Sequence, residues 1–279
     1  MLSRTLRNVL HRAGFDVTRW PHRPDDGVLD WALDAVLRSR DINCVIDVGG
    51  NRGHFAERLR ALGYRGRIVS FEPSPSTLPV ITAAAAKDGQ WEVRPVGLSA
   101  AAGTAELRLH EGPELDSLLT AIPGVVDQIP IMAETGTALV SLSTLEAEFP
   151  SLVAGLGAGS PRVLLKSDTQ GHDAAVLRGA GPGGLPASVV AVLVELAAQP
   201  IYHDQPKMTE VMDILLDDGF TPVVFQPLFQ SSDGLRMVEI DGLFMRSATG
   251  LPDYGPGFLA ASAASAASAA ASGAGATAG

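Results

Sequence analysis

Val45 to Gly53 reads V-I-D-V-G-G-N-R-G, and Ile68 to Pro73 reads I-V-S-F-E-P. The first phrase is an apolar run that ends on an acid and then glycines. A buried parallel strand brings its backbone up to a phosphate- or nucleoside-sized ligand in this way. The second is another apolar strand, and it ends on the carboxylate of Glu72. A carboxylate at the tip of the second strand is where a ribose diol is gripped. Together the two phrases predict an α/β fold that holds a nucleoside-containing cofactor at the ends of its first two strands.

The pattern continues outward from this pair. Strands are expected near Cys44–Val48, Arg67–Glu72, Trp91–Val96, Val163–Lys166 and Val189–Glu195, with helices at Gly53–Leu62, through Ala83–Ala86 and at Met208–Asp218. Such alternation signals a mostly parallel sheet covered by helices on both faces. Val28–Arg38 reads as an amphipathic helix on that sheet. Gly103–Leu109 alternates as an added, partly exposed strand. Gly112–Thr137 is rich in proline and glycine, the composition of a lid or binding loop. Thr221–Phe225 and Val238–Met245 have no helix between them, so they predict an antiparallel hairpin.

Composition narrows the functional classes. With 279 residues, the chain fits one α/β domain with decorations. The expected division is a helical arm and linker over 1–40, a catalytic domain over 41–248 and an Ala/Ser/Gly-rich disordered tail over 249–279. A net charge of −10 argues against broad nucleic-acid binding, which needs basic surface to displace counterions. Cys44 is the sole cysteine, which excludes an internal disulfide and any cysteine-based metal cluster. It reads as a buried structural thiol, and a reducing cytoplasm is the expected compartment. No apolar run approaches the ~20 residues needed to span a bilayer, and no signal peptide is expected. Arg4, Arg7, Arg12 and Arg19 make the first twenty residues basic, with Leu2, Leu6, Val9 and Leu10 at helical spacing. That segment reads as an arm packed on the domain, or as a weak interfacial helix at the inner face of a membrane.

Two cofactor classes fit the opening pair. A dinucleotide needs G-x-G-x-x-G, so that its pyrophosphate meets a helix N-terminus. Here Gly49, Gly50 and Gly53 are present but Asn51 takes the middle position, and Asp47 would repel a pyrophosphate. S-adenosylmethionine has no phosphate, and its sulfonium and amino group tolerate an acid. The terminal hairpin points the same way, because a seventh, antiparallel strand beside the last parallel one marks class I methyltransferases and is absent from dinucleotide folds.

Further phrases join these: L-L-K-S-D-T-Q-G-H-D-A-A-V-L-R-G-A (Leu164–Ala180), V-L-V-E-L (Val192–Leu196), P-I-Y-H-D-Q-P (Pro200–Pro206) and D-G-F (Asp218–Phe220). The set resembles the FkbM family of S-adenosylmethionine-dependent methyltransferases over roughly Val45 to Arg246, with the L-K-x-D-x-Q-G block the most specific part. The resemblance implies a class I, Rossmann-like fold. It also implies O-methylation of a hydroxyl on a sugar, glycolipid, polysaccharide or polyketide-type product. Gly50, Asp173 and Gly97–Ala100 depart from the usual family pattern.

Roles follow by position. Gly49, Asn51 and Gly53 are expected to form the turn beside the methionyl moiety, with Asp47 ordering that turn or accepting from the amino end. Glu72 is expected to accept from both ribose hydroxyls, with Ser74 near the nucleoside. Methyl transfer to an alcohol needs an aligned oxygen and a base for its proton. Asp168, His172 and Glu195 are the candidates for that base. Asp168, with Glu195 or Asp173, is also a candidate Mg²⁺ site, since hard oxygen ligands suit that ion. Gln170, Tyr202, His203 and Gln205 are candidate contacts to a small-molecule or glycoconjugate acceptor. A non-catalytic cofactor- or partner-binding protein on the same fold is the competing reading.

Overall fold

A computed structural model describes residues 27–156, 160–231 and 234–247. The helical arm expected before residue 21 and the Ala/Ser/Gly tail lie outside the described residues. Ten strands follow in chain order: β1 (Cys44–Val48), β2 (Arg67–Phe71), β3 (Trp91–Arg94), β4 (Gly97–Leu98), β5 (Gly103–His110), β6 (Glu134–Ser143), β7 (Val163–Ser167), β8 (Val189–Ala197), β9 (Phe220–Gln230) and β10 (Met237–Arg246). Seven of them form one sheet in the order β3-β2-β1-β7-β8-β10-β9. β10 runs antiparallel to both neighbours, and the other pairings are parallel. This is the class I methyltransferase sheet, with the terminal hairpin placing β10 between β8 and β9.

The period of two along each strand decides which helices cover which face. Cys44, Ile46 and Val48 of β1 share one apolar layer with Leu165, Val192 and the helices α4 (Leu145–Val153), α5 (Asp173–Arg178) and α6 (Met208–Asp217). Val45, Ile68, Leu164 and Leu193 point to the other layer, under α1 (Val28–Ser39), α2 (His54–Leu62) and α3 (Leu78–Ala85). Cys44 is fully buried in the first layer, and burial pushes its thiol up to about 11, so it packs and does not react.

Chain order reverses direction between β1 and β7. Strands β2 and β3 build outward on one side of β1, and β7 and β8 begin on the other. Such a switch point opens a crevice at the carboxyl ends of the strands. A second, three-stranded sheet (β4-β6-β5) stands beside it. β5 was expected; its partner β6 falls partly within the stretch read as loop, because Glu134 and Gly136 interrupt its opening with poor strand formers and Leu139 faces solvent. The loop between β5 and β6 carries only short turns at Pro113–Leu115, Pro123–Val126 and Pro130–Met132. Among the described residues, no helix is long and apolar enough to cross a membrane.

Candidate active site

A cavity of about 460 Å³ lies at the switch point. Its floor is built from the turns after β1, β2 and β7 and from the tips of β8 and β10. Its roof is the Pro113–Leu118 stretch. The volume falls in the ~300–1,000 Å³ range of small-molecule sites.

The first turn is shaped by packing of the protein on itself. Gly49 has φ +75°, and a Cβ there would lie 1.9 Å from the Asp168 carbonyl oxygen. Gly53 has φ +91°, and a Cβ would lie 2.5 Å from the Trp91 ring. Asn51, at φ +47°, bridges floor and roof: its Nδ2 donates to the Pro113 carbonyl at 2.9 Å. Glu72 closes the second turn. Its two carboxylate oxygens accept the backbone N–H of Asn51 at 2.6 Å and of Ser74 at 2.7 Å. Burial pushes its pKa up, and these two N–H groups oppose the shift. Each carboxylate oxygen has further lone pairs, and Glu72 lines the cavity. The Ser74 hydroxyl donates to Asp116, which also accepts the His110 N–H. The roof is therefore fastened to the second turn as well.

Beneath the first turn lies a polar row that sequence reading did not single out. Ser70, Asp47 and Lys166 are register neighbours on β2, β1 and β7. The Ser70 hydroxyl donates to Asp47 at 2.7 Å and accepts from the Trp91 indole at 3.0 Å. Lys166 Nζ donates to the Gly49 carbonyl at 2.8 Å and lies 3.2 Å from Asp47 and 3.5 Å from Asp168. Burial opposes the charge on Lys166, but the Asp168 and Asp47 carboxylates outweigh it and hold the pKa above its ordinary value. Asp47 is 0% exposed and does not line the cavity. Asp47 faces Lys166 and Ser70 beneath the first turn rather than the cavity.

The third turn carries Asp168, Gln170 and His172. Asp168 follows β7 with its side chain 39% exposed. Gln170 sits at φ +51°, a strained conformation for a residue with a side chain. Its Nε2 donates to Glu195 at 2.9 Å and reaches Asp168 at 3.3 Å, while its Oε1 faces the Tyr202 hydroxyl at 3.0 Å. Burial raises the Glu195 pKa well above the carboxylate range, and Asp168 and Glu239 push it further. His172 lines the same cavity, with its Nε2 3.0 Å from the Ser99 hydroxyl; burial lowers its pKa.

Asp168, His172, Glu195, Gln170, Gly49, Asn51, Glu72 and Ser74 thus share one cavity, and Gly53 lies behind it against Trp91. The P-I-Y-H-D-Q-P segment does not line it. Tyr202 is buried and holds Gln170, Gln205 Oε1 accepts the N–H groups of Ile201 and Tyr202, and His203 is solvent-exposed. None of the three lines the cavity, and Tyr202 braces the third turn through Gln170. Sequence reading also missed Asp116, Arg58, Glu239 and Asp241, which line the cavity. Among the described residues, no group of three or more His, Cys, Asp or Glu is placed to hold a metal. Asp173, the alternative Mg²⁺ partner, accepts from the Ser167 hydroxyl in the interior.

A model of the methyltransferase FkbM domain matches residues 47–222, well over half of the chain. The chain belongs to the FkbM methyltransferase family. It is an S-adenosylmethionine-dependent methyltransferase. Among solved structures it is similar to methyltransferase FkbM from Methylobacillus flagellatus, at 11% identity and a TM-score of 0.44 over 74% of this chain and 44% of that one. This chain therefore covers less than half the length of that relative. It is also similar to Aeropyrum pernix fibrillarin with bound S-adenosyl-L-methionine (14% identity, TM-score 0.39, 77% and 73% covered). A third likeness is to precorrin-6y C5,15-methyltransferase from Geobacter metallireducens (13% identity, TM-score 0.38, 82% and 91% covered). No curated protein matches the chain.

Two predictions follow from this geometry. Replacing Lys166 by Met leaves Asp47 buried without its counter-charge, and losing one partner of a buried pair costs about 3–5 kcal/mol. Chemical denaturation of this FkbM methyltransferase should show that loss, and a change under ~1 kcal/mol would remove the ion pair from its structural role. The second concerns pH. Burial, with Asp168 next, raises Asp241 from 3.8 to about 7, and burial raises Glu239 from 4.5 to about 7. The folded state therefore keeps protons that the unfolded chain has released. Stability from these groups is complete below the ordinary carboxylate range and is lost as pH rises to about 7. The thermal midpoint should fall across that window in the wild type and fall less steeply in Asp241→Asn.

Proposed function

We propose that this methyltransferase acts on a hydroxyl of a sugar, in a glycolipid, polysaccharide or glycosylated natural product. The observation that carries the reading is the Asp168–Gln170–Glu195 array, which places two carboxyl groups of contrasting environment on one amide at the mouth of β7 and β8. Sugar hydroxyls are met by such alternating donors and acceptors, and an alcohol needs a base where a more nucleophilic nitrogen or sulfur acceptor does not.

The residues present fit S-adenosylmethionine. Glu72, anchored through Asn51 and Ser74, has lone pairs left for a ribose diol, and Phe71, Pro73, Leu98 and Leu142 offer apolar surface for a purine. When bound, the cofactor supplies an electrophilic methyl group on a sulfonium. Asp168 then accepts the proton that the acceptor hydroxyl gives up, and Lys166 steadies that carboxylate before transfer. Glu195, holding its proton, donates to a neighbouring acceptor oxygen. His172 is tied to Ser99 and serves as a wall of the nucleoside side rather than as the base. The buried, unreactive Cys44 supports a reducing, cytoplasmic setting.

Calorimetry with S-adenosylmethionine and S-adenosylhomocysteine tests the cofactor half of the reading. Glu72→Ala should lose cofactor affinity. Asp168→Ala should keep it while methyl transfer to a glycan and glycolipid extract drops by about 100-fold or more, the usual contribution of a general base. Equal loss of cofactor affinity in both variants would overturn this division of labour.

A further inference from the structure

The far wall of the cavity is acidic in a way that methyl transfer to an alcohol does not require. Glu195 on β8 and Asp241 on β10 are direct register partners across an antiparallel pair, so their side chains project from the same face of the sheet. Glu239, two residues before Asp241, shares that face. All three line the cavity beside Asp168. Like charges directly opposite each other on a sheet are destabilising. Glu195 and Glu239 are each only 7% exposed, which aggravates the cost.

Glu239 makes the point sharper. Its Oε1 is buried and has no hydrogen-bond partner. A buried polar atom left unpaired calls for an explanation, and a missing ligand donor is one. The neighbouring cations are already committed. Arg58 lies 2.5 Å from Asp30, and Lys166 sits between Asp47, Asp168 and the Gly49 carbonyl. Gln170, the amide of the third turn, already donates to Glu195 and Asp168. Among the described residues, no donor reaches Glu239 Oε1.

We infer that this wall is a cation subsite of the acceptor site: the acceptor carries a free, protonated amino group that pairs with the Glu239 carboxyl group between Asp241 and Glu195. The inference rests on the sugar reading above and narrows it to amino sugars. A hydroxyl in the same place would satisfy one lone pair but leave the crowded carboxyl groups dependent on retained protons to relieve their repulsion. An ammonium has three donors and the opposite charge. The upward displacement of the Glu239 and Asp241 pKa values, caused first by burial, fits a wall waiting for a counter-charge.

The test separates charge from sugar. Protein loaded with S-adenosylhomocysteine is titrated by calorimetry with methyl glucosaminide, methyl glucoside and the sugar-free polyamine spermidine. The glucosaminide should bind about tenfold or more tightly than the glucoside, the range of a charge-assisted hydrogen bond. That preference should vanish in Glu239→Gln and shrink in Asp241→Asn, with thermal midpoints measured to confirm that both variants fold. Equal binding of the two glycosides, a preference that survives Glu239→Gln, or no binding of either amine overturns the cation subsite. Spermidine binding that depends on Glu239, with neither glycoside bound, keeps the subsite and removes the sugar.

Discussion

The buried contact between Lys166 and Asp47 is the constraint on which the site depends. Both side chains occupy a layer that is otherwise apolar, in strict register on adjacent parallel strands. Substituting well-packed hydrophobic residues for such a pair is often neutral or stabilising, so stability alone does not account for it. Its effect is positional. One ammonium holds the Gly49 carbonyl of the first turn and stands beside the Asp168 carboxylate of the third. On the other side, Ser70 and Trp91 carry the row across β2 to β3. Four strands are thereby fixed relative to each other at the level where the cofactor and acceptor meet.

The glycines obey the same logic. A glycine-rich turn after the first strand is usually credited to a ligand that needs room. Here Gly49 is required because the β7 turn passes within contact distance of its α-carbon, and Gly53 because Trp91 packs on it. The two halves of the crevice, which arise from opposite sides of the switch point, touch at Gly49. An alanine there would separate the cofactor turn from the turn that carries Asp168, whatever ligand is present.

Much of this was legible in the sequence, and for a physical reason. The parallel strands are buried on both faces, so they read as continuous apolar runs, and β1 matches its expected bounds of Cys44–Val48. The terminal hairpin was legible because no helix pattern separates its strands. β6 was not, since Glu134 and Gly136 break up its opening and its pairing with β5 is non-local. Lys166 was hidden inside the most recognisable motif: its neighbours are apolar, and only the register with Asp47 shows that it faces a carboxylate. Glu239 and Asp241 were hidden for the converse reason. Alternation on a hairpin strand ordinarily marks a solvated face, and burial by the rest of the cavity wall reverses that meaning. That Tyr202, His203 and Gln205 lie off the cavity was not legible, because an aromatic–amide cluster in a turn looks the same whether it faces a ligand or braces a loop.

Asp168 and Glu195 differ in burial, and that same lysine stands beside the first of them. Both carboxyl groups meet the amide of Gln170, and both lie at strand tips facing one cavity. Asp168 has solvent and the Lys166 ammonium at 3.5 Å; Glu195 is buried and has Asp168, Glu239 and Asp241 around it. On the proposed reading, two titratable groups in such different settings divide into a proton acceptor and a proton holder. The strained backbone of Gln170, held by Ser117 on its carbonyl and Tyr202 on its amide, keeps them at a fixed separation. Because Ser117 belongs to the roof and Tyr202 to the bracing turn, the roof cannot shift without moving the amide that couples the two carboxyl groups. Cofactor enclosure and acceptor chemistry are linked through that one side chain.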